Sequence, residues 1–155
     1  MDRTSKISAF VFLLAASAPS LVLADSPILN LNPADKIEEN SFFQEMIRNQ
    51  EDLAKLEKIK ITYLIQSIKR SPYTFIRNGV SYSGTKAASH IFTKYSHRSD
   101  SIQSAREFIE SVASRSSRTG EAYQVQFPDG TTSPVRDILL SELEKLEERL
   151  NQKKS

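Results

Sequence analysis

Apolar positions recur at helical spacing along most of the chain. Ile37, Phe42, Phe43, Met46, Ile47, Leu53 and Leu56 come first, then Ile61, Leu64, Ile65 and Ile68 in a 0-3-4-7 stripe. No Gly or Pro interrupts from Ala34 to Ser71, and Asn32-Pro33 suits a cap followed by a first-turn proline. Nearly forty residues is long for a globular helix, so a break is expected near Asn40-Ser41 or Asn49-Gln50. Ser83 to Thr85 caps a further helix with Ala87, Ala88, Ile91, Phe92 and Tyr95 on its buried stripe. Another begins at Ser101 or just after Ser104. There Ile102, Ala105, Phe108, Ile109, Val112 and Ala113 are spaced 0-3-6-7-10-11, and Ser104 to Glu107 fits a capping box. Ser133-Pro134 opens the last helix, whose stripe is Val135, Ile138, Leu139, Leu143, Leu146 and Leu150.

Between these helices the period changes to two. Tyr73 to Arg77 and Val80 to Tyr82 flank Asn78-Gly79, a pair that tolerates positive φ and predicts a tight hairpin. Tyr123, Val125 and Phe127 alternate with Gln124 and Gln126, as in a half-buried strand. After the Pro128-Asp129-Gly130 turn, Thr131 to Ser133 is expected to return as a short strand. Strands this short do not stand alone. The expectation is a helix-rich α+β fold: three or four helices packed on a small antiparallel sheet that joins the hairpin to the Tyr123 strand.

The first residues follow a different pattern. Arg3 and Lys6 outweigh Asp2, Ile7 to Ala16 is apolar except for Ser8, and Val22-Leu23-Ala24 offers a peptidase site. This pattern predicts a secretory signal peptide over 1–24, cut before Asp25. The clean apolar run is half what a membrane span needs, and Pro19 follows it, so no span is expected after cleavage. The mature chain would hold 155 − 24 = 131 residues, enough for one domain. It divides into a flexible lead-in over 25–32, an N-terminal helical extension over 33–56, a compact domain over 57–151 and a frayed tail over 152–155. Phe42, Phe43, Met46 and Ile47 of the extension would form an exposed apolar patch if nothing in the chain covered them.

Composition narrows the chemistry. Removing two basic residues and one acidic residue with the head leaves 19 basic and 18 acidic, close to neutral. No basic run alternates with aromatics, so nucleic acid is not an expected partner. The absence of cysteine excludes disulfides, thiol catalysis and thiolate metal sites. His90 and His97 are the only histidines; seven residues apart on one helix, they stand roughly 10 Å apart, too far to share a metal ion. No metal and no cofactor is implied.

The stretch from Lys60 to about Leu143 resembles a known family. The residues that carry the likeness are Lys60-Ile61-x-Tyr63-Leu64-Ile65-x-Ser67-Ile68, Phe75-Ile76-Arg77-Asn78-Gly79-x-x-Tyr82, and Ala87-Ala88-x-His90-x3-Lys94. Ala105-x-x-Phe108-Ile109 and Ala113-Ser114-x-Ser116-Ser117-x-Thr119-Gly120-x-x-Tyr123 continue it. The pattern is similar to the YfeK-like family of small secreted or periplasmic bacterial proteins of unknown function. The resemblance implies a periplasmic location and no particular activity.

One surface gathers the remaining polar chemistry. His90 and Lys94 lie one helical turn apart, Arg77 and Asn78 sit at the hairpin tip, and Ser116 and Ser117 lie in a basic loop. With Tyr82 and Tyr123 these are the candidate ligand-binding residues, basic heads and hydroxyls suited to an anion. The plainer possibility is that His90 bonds a backbone carbonyl, Arg77 caps a helix or pairs with an acid, and the serines turn the chain. A Ser-His nucleophile pair lacks a nucleophile elbow and an orienting carboxylate. A carboxylate pair of Glu57 and Glu107 has structural uses for both acids: a helix salt bridge and the capping box. Tyr73, Tyr82, Tyr95 and Tyr123 suit a core edge as well as a binding ledge. The expectation is a periplasmic, non-enzymatic binding module for an envelope protein or small ligand. The alternative is a small envelope hydrolase using the same basic and hydroxyl surface.

Overall fold

The structure is a computed structural model and describes residues 30–33 and 36–154. The expected signal peptide and most of the lead-in lie outside them. Five helices and four strands follow in chain order: α1 (Ser41–Arg48), α2 (Leu53–Arg70), β1 (Thr74–Arg77), β2 (Val80–Ser83), α3 (Gly84–Ser96), α4 (Ala105–Phe108), β3 (Gln124–Gln126), β4 (Thr132–Pro134) and α5 (Val135–Gln152). Single 3₁₀ turns occupy Ile37–Glu39 and Ser99–Ser101. The sheet runs β2-β1-β3-β4 with every pair antiparallel. The fold is α+β. No helix among the described residues is long and apolar enough to cross a membrane.

Each break has a local cause. The long apolar run divides at Asn49–Asp52, where Asn49 closes α1 and the Asp52 carboxylate caps α2 at the Lys55 N–H. Asn78 (φ 50°) and Gly79 (φ 73°) form the hairpin turn, both left-handed as a two-residue connection between right-twisting strands requires. Pro134 is tolerated because β4 is an edge strand.

The sheet presents one face to the helices. Phe75, at 4% exposure, pairs with the fully buried Val125 on that face. The other face carries Ile76, Ser81, Gln124 and Gln126, which are half-buried or exposed. α2 is the central helix and packs against α1, α3, α4 and α5. Phe43, Leu64, Ile68, Phe108, Ile109, Ile138, Leu139 and Leu146 have no measurable exposure, and they close one continuous core.

Several expectations need correcting. Phe43 and Met46 are fully buried, and Phe42 and Ile47 pack against the same core, so α1 presents no apolar patch. The exposed large apolar side chains among the described residues, Leu53, Val80 and Phe92, stand on different elements. Leu31, expected in a flexible lead-in, is fully buried; its N–H donates to the Glu142 carboxylate at 2.9 Å, while Asn32 Nδ2 donates to the Ser67 carbonyl at 2.9 Å. The capping box is offset by one residue. Ser104 Oγ accepts the Glu107 N–H, but Glu107 reaches back to the Gln103 N–H. Glu57, from α2, accepts the Ala105 N–H instead. After Phe108 the helix widens into a π-helix over Ile109–Ala113, with Ser114 Oγ donating to the Ile109 and Glu110 carbonyls at its end.

Candidate functional site

The hairpin tip, α3 and the loop after the π-helix meet at one end of the sheet. Antiparallel pairing of β1 with β3 places Arg77 and Tyr123 at the same end. The chain then turns from β2 directly into α3 through the Ser83 cap, which brings His90 back beside both strands. Arg77 Nη1 stands 3.4 Å from His90 Nδ1, and the Tyr82 ring meets the His90 ring edge-on with centroids 5.5 Å apart. Arg77 Nε is buried and has no hydrogen-bond partner among the described residues.

The hairpin tip is also tied to the loop. Asn78 Nδ2 donates to Ser116 Oγ at 3.4 Å, and Thr119 Oγ1 donates to Asn78 Oδ1 at 2.7 Å. Ser116 is buried, while Ser117 is exposed and turns the chain beside it. The loop is closed internally by the Ser116 N–H to the Glu121 carbonyl and the Gly120 N–H to the Ser116 carbonyl, both at 2.9 Å.

Lys94 does structural work. Its ammonium donates to the Val112 and Arg115 carbonyls at 2.8 and 2.7 Å, satisfying backbone acceptors left open at the end of the π-helix. It also lies over the Tyr123 ring, 5.6 Å from the centroid. Arg98 Nη1 adds a bond to the Ser111 carbonyl at 3.1 Å. Burial holds the Lys94 ammonium below the ordinary lysine range, and the charges of Arg98, Arg77 and Arg115 push the same way. Burial raises the Tyr123 phenol, an effect the Arg77 charge opposes.

Of the eight candidate residues, Arg77 and Tyr82 each meet His90, Asn78 joins Ser116, and Lys94 joins Tyr123. Ser117 makes no side-chain hydrogen bond among the described residues. Thr119, Arg98 and Arg115 belong to the assembly but were not among the candidates. Their places depend on the π-helix and the loop closure, neither of which has a sequence periodicity to announce it. His90 faces Arg77 and not a serine, and Ser116 Oγ is occupied by Asn78, so the Ser-His pair is not formed. Glu57 binds Lys60 and the Ala105 N–H, and Glu107 serves the Gln103 N–H, so those acids are employed separately. Among the described residues no group of three His, Asp or Glu side chains is arranged to hold a metal ion.

Between β1, β2 and α3 a small cleft opens beside this network. Phe75, Ile76, Ala87, Ile91 and Val135 form its apolar lining, and Arg77, Tyr82, His90 and Tyr123 surround them. Its volume is about 30 Å³.

Residues 55–147, more than half of the chain and the whole of this site, match the model of a family of unknown function, DUF5329. The chain belongs to this family. It is also similar to the uncharacterized protein YfeK of Salmonella typhimurium (strain LT2), with 34% identity over 68 residues, 43% of this chain. The matched region spans 57% of that relative's length. No solved structure matches the chain. The DUF5329 match leaves out Leu31 and α1, which this protein nevertheless packs into the common core.

Proposed function

We propose that this DUF5329 protein is an exported, non-enzymatic binding module that receives an anionic ligand on the face around Arg77. One observation carries the reading. Arg77, Lys94, Arg98 and Arg115 lie close enough for the three arginines to act on the Lys94 ammonium, and none is ion-paired with a carboxylate among the described residues. Two cations elsewhere are neutralised: Lys60 has two glutamates, and Arg136 holds Glu110 through two guanidinium nitrogens. Like charges held together without counter-charge oppose folding, and ligand sites are where such a cost is retained. The hydrolase alternative finds less support, because the Ser116 and Thr119 hydroxyls are engaged by Asn78 and no base among the described residues contacts Ser116 or Ser117.

Octaglutamate serves as the probe. It should bind the purified protein at low ionic strength and release as salt shortens the reach of the charges. Arg77→Gln combined with Arg115→Gln should weaken that binding by about tenfold, the loss expected for two partly exposed ionic contacts. Titration calorimetry showing equal affinity for parent and variant would remove the reading.

Export is proposed on the basic head, the apolar run and the Ala24 site. Produced in a bacterial host with an intact secretion system, the protein should be recovered from the periplasm with an intact mass that begins at Asp25. A full-length mass in the membrane or cytoplasmic fraction would reject it.

A further inference from the structure

We infer that the cleft between β1, β2 and α3 binds a carboxylate that carries a methyl-sized apolar group, the carboxylate on Arg77 and the methyl on the cleft floor. This rests on the anion-binding reading above and makes it specific. Three observations support it together. Arg77 lines the cleft with a guanidinium that has no carboxylate partner among the described residues, and its Nε–H is buried without an acceptor, so a ligand oxygen reaches that donor only as the side chain swings towards the rim. A buried donor left unmade is expensive, so native structures nearly always supply a partner from protein, solvent or ligand. A planar guanidinium with free donors is suited to the two oxygens of a carboxylate.

The floor fixes the other half of the ligand. Phe75, Ala87, Ile91 and Val135 are each at most 9% exposed and offer no polar atom to an occupant. A water placed among them would lack the two to four polar partners it needs, whereas an apolar group is at home. The volume of about 30 Å³ admits one group about the size of a water or a methyl, and excludes a leucine or phenylalanine side chain unless the cleft opens. Tyr82, His90 and Tyr123 stand around it, and the surface turned to the cleft is almost wholly apolar, which leaves the carboxylate to the Arg77 rim. In a C-terminal alanine, and in a free short acid such as propionate, a carboxylate and a methyl group lie within two carbons of each other. These two sources share the chemistry, and the test separates them.

The purified, ¹⁵N-labelled protein would be titrated with N-acetyl-glycyl-alanine as the free acid, with its C-terminal amide, with N-acetyl-glycyl-leucine, and with propionate. The free-acid alanine peptide should shift the amides of Phe75, Arg77, Tyr82 and Ile91, and bind at least about tenfold more tightly than the amide or the leucine peptide. Arg77→Gln should lose about tenfold in affinity, while Arg48→Gln, an exposed arginine on α1, should lose none. Propionate equal to the peptide assigns a free short acid; a clear preference for the peptide assigns a chain end. Equal binding of acid and amide, full affinity in a folded Arg77→Gln, or no shift at millimolar peptide overturns the cleft proposal. If octaglutamate still binds in that case, only the cleft assignment falls; if octaglutamate also fails, the broader reading falls with it.

Discussion

Gly84→Ala is expected to destabilise the protein by about 3 kcal/mol, the upper end for inserting a methyl where none fits. Helix propensity alone predicts the reverse. Gly84 is the first residue of α3, and alanine favours a helix interior over glycine by about 1 kcal/mol. Packing decides the sign. A Cβ at Gly84 would collide with the Ile68 carbonyl oxygen and stand 2.9 Å from that of Ser71 and 3.3 Å from that of Lys69. All three are backbone atoms at the end of α2, and the Ile68 carbonyl also accepts the Ser71 N–H. They cannot swing aside as a flexible side chain would. Relief requires α2 and α3 to separate, and that contact sets the angle at which α3 carries His90 towards Arg77. A domain of this size should lose roughly 10 °C in melting temperature. Gly79→Ala is the informative comparison, since Gly79 has open space around it and would suffer only the cost of its positive φ. If Gly84→Ala melts within a degree or two of the parent in calorimetry, the close approach of the two helices is wrong.

The elements that announced themselves were those with a repeating pattern. The 0-3-4-7 stripe of α2, the alternation at Tyr123 to Phe127 and the Asn78-Gly79 turn each encode a local geometry, and all are present. Gly84 gives no such signal, because its role is defined by carbonyls of another helix. Leu31 is a single apolar residue in a polar stretch, so periodicity had nothing to detect; its burial depends on Glu142, 111 residues away in sequence. The π-helix was hidden for a different reason. Phe108, Ile109, Val112 and Ala113 suit an α-helical stripe equally well, and the widening is visible only in the backbone hydrogen bonds. At the candidate site the sequence showed which residue types were available but not their employment. Lys94, expected as an anion-binding cation, is a helix cap, whereas Arg77, from the same candidate set, has no acidic partner among the described residues.

Lys60 supplies the second large expectation, and its sign can be worked out from both directions of pH. The side chain leaves α2 among Leu56, Ile61 and Leu64 and is only 9% exposed. Its ammonium donates to Glu57 at 2.7 Å and to Glu147 at 2.8 Å. Burial alone would lower its pKa, but the hydrogen bonds it donates to Glu147 and Glu57 and their charges outweigh it, and the net displacement is upward from 10.5. A base whose folded pKa is raised contributes stability in full below its unfolded value, and that contribution disappears as pH climbs through the folded one. The window is therefore alkaline, above 10.5, and neutral pH leaves the cluster intact. Glu57→Ala should cost about 2 kcal/mol at neutral pH, because it leaves the buried ammonium with Glu147 alone and also removes the acceptor of the Ala105 N–H that starts α4. Lys60→Met removes the charge and keeps the volume. Glu57 and Glu147 then face solvent with side chains 23% and 40% exposed, so the cost should stay below about 1 kcal/mol. The double variant Glu57→Ala with Lys60→Met should recover part of what Glu57→Ala loses, since the half-paired buried charge is gone and only the missing cap remains. Denaturant unfolding at neutral pH ranks the three. Repeated at strongly alkaline pH, the stability gap between parent and Lys60→Met should shift towards the variant, because only the parent has this proton to lose. Equal losses for Glu57→Ala and Lys60→Met at neutral pH would mean that the pair stabilises by attraction alone. The buried ammonium would then carry no desolvation cost, contrary to its position in the core.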